Sequence, residues 1–219
     1  MFAFWAKKHN VPFIPLHEGL MYGKDFGYSG HAQYATLNLV WGRRVKKKMV
    51  SFEAPASKII PVGNTHLGRE MARQTRQNIR KQIRKKYHVQ KKFVTLLILS
   101  SRLPAPDLFA PVFKAVSQGN GHTIFVKFHP ACKKSHIDKW VTSITDTCSQ
   151  NIIFIHDQES TYDLISACDV VLLGEKSTTG LEALAFGKPL VKLDFAYVPN
   201  AVYSFVDHGA AIKMGAEEF

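Results

Sequence analysis

The chain has 219 residues, 46% hydrophobic and 21% charged, enough for one large domain or two small ones and ordinary for a soluble globular protein. No apolar run approaches the roughly 20 residues of a membrane span, the start MFAFWAKKHNVPFIP lacks a signal-peptide layout, and three cysteines without a C-x-x-C pair exclude a disulfide framework and point to a reducing, cytoplasmic setting. The net charge of +12 is concentrated, because residues 43–48 carry an excess of +5 and residues 69–92 one of +9, leaving the rest near neutral.

Residues 11–16 (VPFIPL) read as a short strand ending at His17-Glu18-Gly19. Residues 37–41 (LNLVW) read as a second strand stopped by Gly42, and IIPVGN (59–64) as a third closed by a Gly-Asn turn. From 67 to about 86 the pattern is helical and polar, with Arg69, Arg73, Arg76, Arg80 and Arg84 spaced to share one helix face. From 92 the chain alternates. Strands are expected at 92–100, 122–128, 151–155, 169–173 and 189–193, and helices at 106–118, 134–147, 160–168 and 177 to about 186. Continuous apolar strands between helices predict an α/β fold, a Rossmann-like parallel sheet with helices on both faces and right-handed crossovers. The expected organisation is a partial N-terminal α/β segment over 1–66, a basic helical linker over 67–92 and the Rossmann-like domain over 93–219.

Ligands of open α/β sheets sit outside the carboxyl ends of the strands. Here those ends are Ser100-Ser101-Arg102, Lys127-Phe128-His129-Pro130, His156-Asp157-Gln158 and Gly174-Glu175-Lys176-Ser177. Ser177, Thr178, Thr179 and Gly180 open a helix whose first N–H groups suit a phosphate, with the small Gly180 allowing close approach. The competing explanation is a capping box, Thr179-x-x-Glu182. His129, held by the next proline, suits donation to a phosphate, although a histidine before proline is also a common turn residue. Lys127 is expected on the strand face opposite Phe128, solvated. His17 beside Glu18 suits a general base on an acceptor hydroxyl, against the alternative of a loop histidine. No D-x-D pair, H-E-x-x-H, P-loop or G-x-G-x-x-G is present, so no metal site is expected and a nicotinamide or flavin dehydrogenase is disfavoured. Neutralising a leaving phosphate would then fall to helix N-termini and basic side chains.

The stretches KFHP, FIHDQESTYDLISACDVVL and STTGLEALAFGKPLV resemble the C-terminal half of GT-B glycosyltransferases. The likeness is nearest to bacterial capsule polysaccharide transferases, CDP-glycerol glycerophosphotransferases and polysialyltransferases, with UDP-N-acetylglucosamine 2-epimerases as relatives in fold. It runs from about residue 11 to 213 and is specific in the second half. The resemblance implies that His129, Ser177, Thr178 and Thr179, with Gly180, hold the phosphates of a nucleotide donor. Ser101 and Arg102 complete that set. Glu175 and Glu182 resemble the paired acids at the donor sugar and ribose, and His17 with Glu18 is the nearest match to the family's base motif. It implies a metal-independent glycosyl or polyol-phosphate transferase of surface polysaccharide biosynthesis. The donor is a nucleotide-sugar or CDP-polyol used as substrate, with no further cofactor, and the acceptor is a glycan or lipid-linked chain. The short first segment and the end at Glu217-Glu218-Phe219 lead us to expect a fragment or reduced protein that binds nucleotide but turns over poorly.

The arginine face (Arg69, Arg73, Arg76, Arg80, Arg84) is expected to meet an anionic membrane surface, placing the protein at the cytoplasmic face of a membrane. Two rival functions stand beside the transferase. One is an epimerase-like isomerase or hydrolase. The other is a non-catalytic basic module for an anionic surface or nucleic acid, the latter disfavoured because no RNA-module motif is visible.

Overall fold

Buried apolar stretches in the second half form strands covered on both faces. β3 (Phe93–Ile98), β4 (His122–Lys127), β5 (Ile152–Ile155), β6 (Val170–Leu173), β7 (Leu190–Leu193) and β8 (Ile212–Met214) make a six-stranded, wholly parallel sheet in the order β5-β4-β3-β6-β7-β8. The computed structural model describes residues 2–17, 34–72, 76–90, 92–101, 103–119, 121–144, 151–174, 177–194, 205–215 and 218. The chain divides into two compact units, Met1–Glu70 with Val198–Ser204, and Met71–Tyr197 with Phe205–Phe219.

In the first unit, α1 (Phe2–Lys8) precedes β1 (Asn38–Val40), α2 (Arg43–Val50) and β2 (Ile59–Pro61), and α3 (Thr65–Ala72) follows. β1 and β2 pair in parallel, Asn38 opposite Ile59 and Val40 opposite Pro61. The small core is Val40, Val45, Met49, Ala54 and Ile59. The basic block 43–48 is the exposed side of α2, whose Val45 and Met49, four residues apart, face inward. The strand expected at 11–16 is reduced to one parallel bridge, Leu16 to Leu39. Pro12 and Pro15 have no N–H to give, so a ladder cannot extend along them.

In the second unit, α4 (Arg76–Lys86) leads into the sheet, and α5 (Ala110–Gln118), α6 (Lys134–Thr142), α7 (Thr161–Ala167) and α8 (Thr179–Ala185) connect successive strands. The chain runs from β3 outward to β5 and then returns to β6 on the other side of β3, so the sheet has a topological switch point between β3 and β6. Each helix buries a narrow stripe: Val112, Phe113 and Val116 on α5, Ile137 and Trp140 on α6. Trp140 gathers Phe109, Phe113, Phe128 and Phe154, with ring centroids 5.6–6.4 Å away. α8 ends in a left-handed Gly187 at φ 66°, with Lys188 N–H donating to the Ala183 carbonyl and Gly187 N–H to that of Leu184.

Of the residues expected in the linker, those of α4 pack against α7 within the second unit. Among the described residues no helix is long and apolar enough to cross a membrane.

Candidate functional site

Three polar segments meet beyond the carboxyl ends of β3, β4 and β6. Ser100 and Ser101 follow β3, His129 and Pro130 follow β4, and Ser177, Thr178, Thr179 and Glu182 lie at the start of α8. Together with Thr161 and Tyr162 of α7 they line one cavity of about 340 Å³, within the range of small-ligand sites. The cavity spans the switch point, where a parallel α/β sheet leaves its natural crevice.

The groups in it are held in defined states. The Ala131 N–H donates to His129 Nδ1 at 3.0 Å, so in the neutral ring Nε2 carries the proton and is a donor. Ser177 Oγ accepts from the Thr179 N–H at 3.1 Å, while the N–H groups of Gly180 and Leu181 go to the carbonyls of Ser177 and Thr178. These first-turn amides therefore have partners within the turn. What α8 offers an anion is its hydroxyls rather than those N–H groups. The capping box is not formed. The Glu182 carboxylate instead accepts from Tyr162 Oη at 3.2 Å, and Tyr162 stacks on Phe186, 5.9 Å between centroids.

Gly180 has a packing role in place of the expected one. A Cβ there would stand 2.6 Å from the Phe205 ring and 3.0 Å from Leu173 Cδ1, so α8 can sit this close only with glycine. Lys127 also differs from the expectation. It is only 5% exposed, lines the cavity, and directs Nζ to the His156 carbonyl. Burial pulls its pKa down, opposed by Asp157 and Glu159. Sequence reasoning placed Lys127 in solvent and passed over Thr161 and Tyr162. The usable signal for Lys127 was a lysine closing the apolar run TIFVK in a strand covered on both faces.

The other expected residues are placed differently. His17 is 6% exposed, edge-on to Trp41 at 5.1 Å between centroids, and burial lowers its pKa to about 4. It is an enclosed neutral imidazole, a weaker base than an exposed histidine. Glu18, Arg73, Arg102 and Glu175 lie outside the described residues, as does the side chain of Arg76.

Among the described residues the arginines do not share one exposed face. Arg69 is exposed on α3, near His66 and Glu70. Arg84, 8% exposed, and Arg80 point from α4 into the second unit. Arg80 donates to the carbonyls of Ser166, Ala167 and Cys168 and to Asp169 Oδ1 at 2.6 Å. Arg84 donates to the carbonyls of Ala167 and Lys92 and to Asp169 Oδ2 at 2.6 Å. The last carbonyls of α7 have no partner within their helix, and these guanidiniums supply one. Burial alone would raise the Asp169 carboxyl, yet the Val94 N–H and the two arginines hold it below its ordinary range. Cys168, among these groups, has its thiol pushed up to about 12 by burial, so it is no nucleophile at neutral pH.

No family model matches the sequence, and no curated protein matches it. Solved structures do. A wall teichoic acid polymerase, TagF, soaked with CDPG, superposes with a TM-score of 0.64 at 15% identity, over 92% of this chain and 53% of its own. The UDP-GlcNAc 2-epimerase of Neisseria meningitidis bound to UDP-GlcNAc gives 0.63 at 16% identity, over 90% of this chain and 56% of its own. HepE of Anabaena, in complex with UDP and glucose, gives 0.59 at 14%, over 88% and 55%. The likeness is one of fold: the chain has the Rossmann-like α/β fold of GT-B glycosyltransferases and their epimerase relatives. It spans little more than half the length of each of these structures.

Proposed function

We propose that the chain is the donor-binding part of a GT-B glycosyltransferase, transferring a sugar or polyol phosphate from a nucleoside-diphosphate donor to a surface glycan or lipid-linked acceptor. The observation that carries this reading is the convergence of Ser101, His129, Ser177–Thr179 and Glu182, from three strand ends, on one cavity at the switch point. In this reading the His129 Nε2–H and the hydroxyls of Ser177 and Thr178 hold the diphosphate. The buried Lys127 places a positive charge against the same cavity, so that a departing phosphate is stabilised without a metal. Glu182, oriented by Tyr162, accepts from the ribose hydroxyls. The UDP named for HepE, the UDP-GlcNAc named for the epimerase and the CDPG named for TagF support a nucleotide here. The acceptor side belongs to the cytoplasmic face of a membrane. With Arg80 and Arg84 taken up internally, Lys81 and Lys85 are exposed cations that α4 still offers to such a surface.

Calorimetric titration with CDP, UDP, GDP and ADP tests the donor site. One diphosphate is expected to bind, and His129→Ala and Thr178→Ala are each expected to weaken it about tenfold, the worth of one hydrogen bond to a charged phosphate. Glu182→Gln is expected to erase any preference for the ribonucleotide over its 2′-deoxy form. Binding that ignores all three substitutions would remove the site from this cavity. A product assay on UDP-GlcNAc separates transfer from the epimerase alternative.

A further inference from the structure

A second and larger cavity, of about 770 Å³, opens on the other side of Ser101, the residue that lines both. One wall is the loop of Leu103, Pro104, Ala105 and Pro106, and the other is α6 with the turn before it. The walls are fixed to each other. Trp140 Nε1 donates to the Pro104 carbonyl at 2.8 Å, and Cys132 Sγ lies 3.5 and 3.6 Å from the carbonyls of Ser100 and Ser101. Two prolines stiffen the loop further. The cavity is therefore formed before any ligand arrives, and its size is that of a small-molecule site.

Its lining is of two kinds. Leu103, Pro104, Pro106 and Trp140 make an apolar floor. Lys133, just before α6, and His136 and Lys139 on it stand at its edge with the Ser101 and Ser143 hydroxyls. Among the described residues no carboxylate lines it. His136 lies midway in sequence between the two lysines, whose side chains are long enough to close around one phosphate with the imidazole between them. None of these three side chains takes part in the donor cavity.

We propose that this cavity is a second binding site, for an organophosphate whose apolar body lies on Trp140 and the proline loop and whose phosphate is held by Lys133, His136 and Lys139. Its position beside the donor cavity makes it an acceptor-side site for a phosphate-bearing chain. That use rests on the transferase reading; the binding itself does not.

Hexyl phosphate is the probe, titrated by calorimetry at low salt beside inorganic phosphate and hexanol. Saturable binding is expected, about tenfold tighter than for either half-probe. The double variant K133Q/K139Q is expected to lose about tenfold in hexyl phosphate affinity, with K133R/K139R retaining it, because the contacts depend on charge. Thr178→Ala is expected to leave hexyl phosphate binding unchanged and to weaken nucleotide, so failure of the donor site and failure of this one read separately. The proposal is overturned if hexyl phosphate does not saturate, if K133Q/K139Q binds it as tightly as the parent, if inorganic phosphate binds equally well, or if a nucleotide displaces it. Flotation with vesicles containing a long-chain prenyl phosphate identifies the source. Capture by these vesicles and not by plain ones supports a lipid-carried ligand, and binding confined to the soluble probe supports a free phosphorylated one.

Discussion

The missing side chain of Gly180 accommodates Phe205 and Leu173 against α8. Gly180→Ala is expected to destabilise the second unit by about 1–3 kcal/mol through overpacking, and Phe205→Leu in the same chain should restore part of the loss. Urea unfolding measures both, and an unchanged midpoint in Gly180→Ala would contradict the packing account. His17 carries a pH dependence of defined sign. Its folded pKa, about 4, lies below the ordinary 6.5, because burial disfavours the charged ring. As pH falls below 6.5 the unfolded chain takes up a proton that the folded one does not, so stability is complete above 6.5 and is lost between 6.5 and about 4. The loss at the acid end is up to about 3 kcal/mol. His17→Leu should flatten this part of the stability profile, and parallel profiles for the two proteins would show that the imidazole is not enclosed.

At the scale of elements, α4 is held to α7 by charge as well as by its buried Ile83. Arg80, Arg84 and Lys188 together satisfy the α7 terminus, Lys188 donating to the Cys168 carbonyl at 2.8 Å, while Asp169 balances the two arginines. Arg84→Leu is expected to cost about 2–4 kcal/mol, since it leaves a half-buried carboxylate and two carbonyls short of donors. Arg84→Lys should rescue little, a lysine being unable to reproduce the fork. A change below about 0.5 kcal/mol in denaturant unfolding would show the lock to be ornamental. This is also where sequence reading reached its limit. The strands from 92 onward were legible because continuous apolar runs closed by polar residues have few other uses. The even spacing of arginines at 76, 80 and 84 showed that they lie on one side of a helix, but spacing carries no information about what covers that side. The partner, Asp169, lies 85 residues from Arg84, and only the folded chain brings them together. In the same way, VPFIPL has the hydropathy of a strand, and its two prolines limit it to one bridge.

For the whole molecule, the sheet order decides where function can reside. Reversal of the winding at β3 leaves a crevice above β3 and β6, and the residues singled out from their strand-end positions, Ser101, His129 and Ser177 through Thr179, line it. Strand ends were readable in the sequence, whereas Lys127 and Tyr162 needed the side-chain directions. Ser101 lines both cavities. We propose that the smaller one seats the diphosphate of a nucleotide donor. A crystal structure of the protein with whichever of CDP and UDP binds more tightly decides this. The two phosphates are expected between His129 Nε2 and the hydroxyls of Ser177 and Thr178, with the ribose against Glu182. Phosphates found instead against Lys133 and Lys139, or a nucleotide bound away from both cavities, would contradict it.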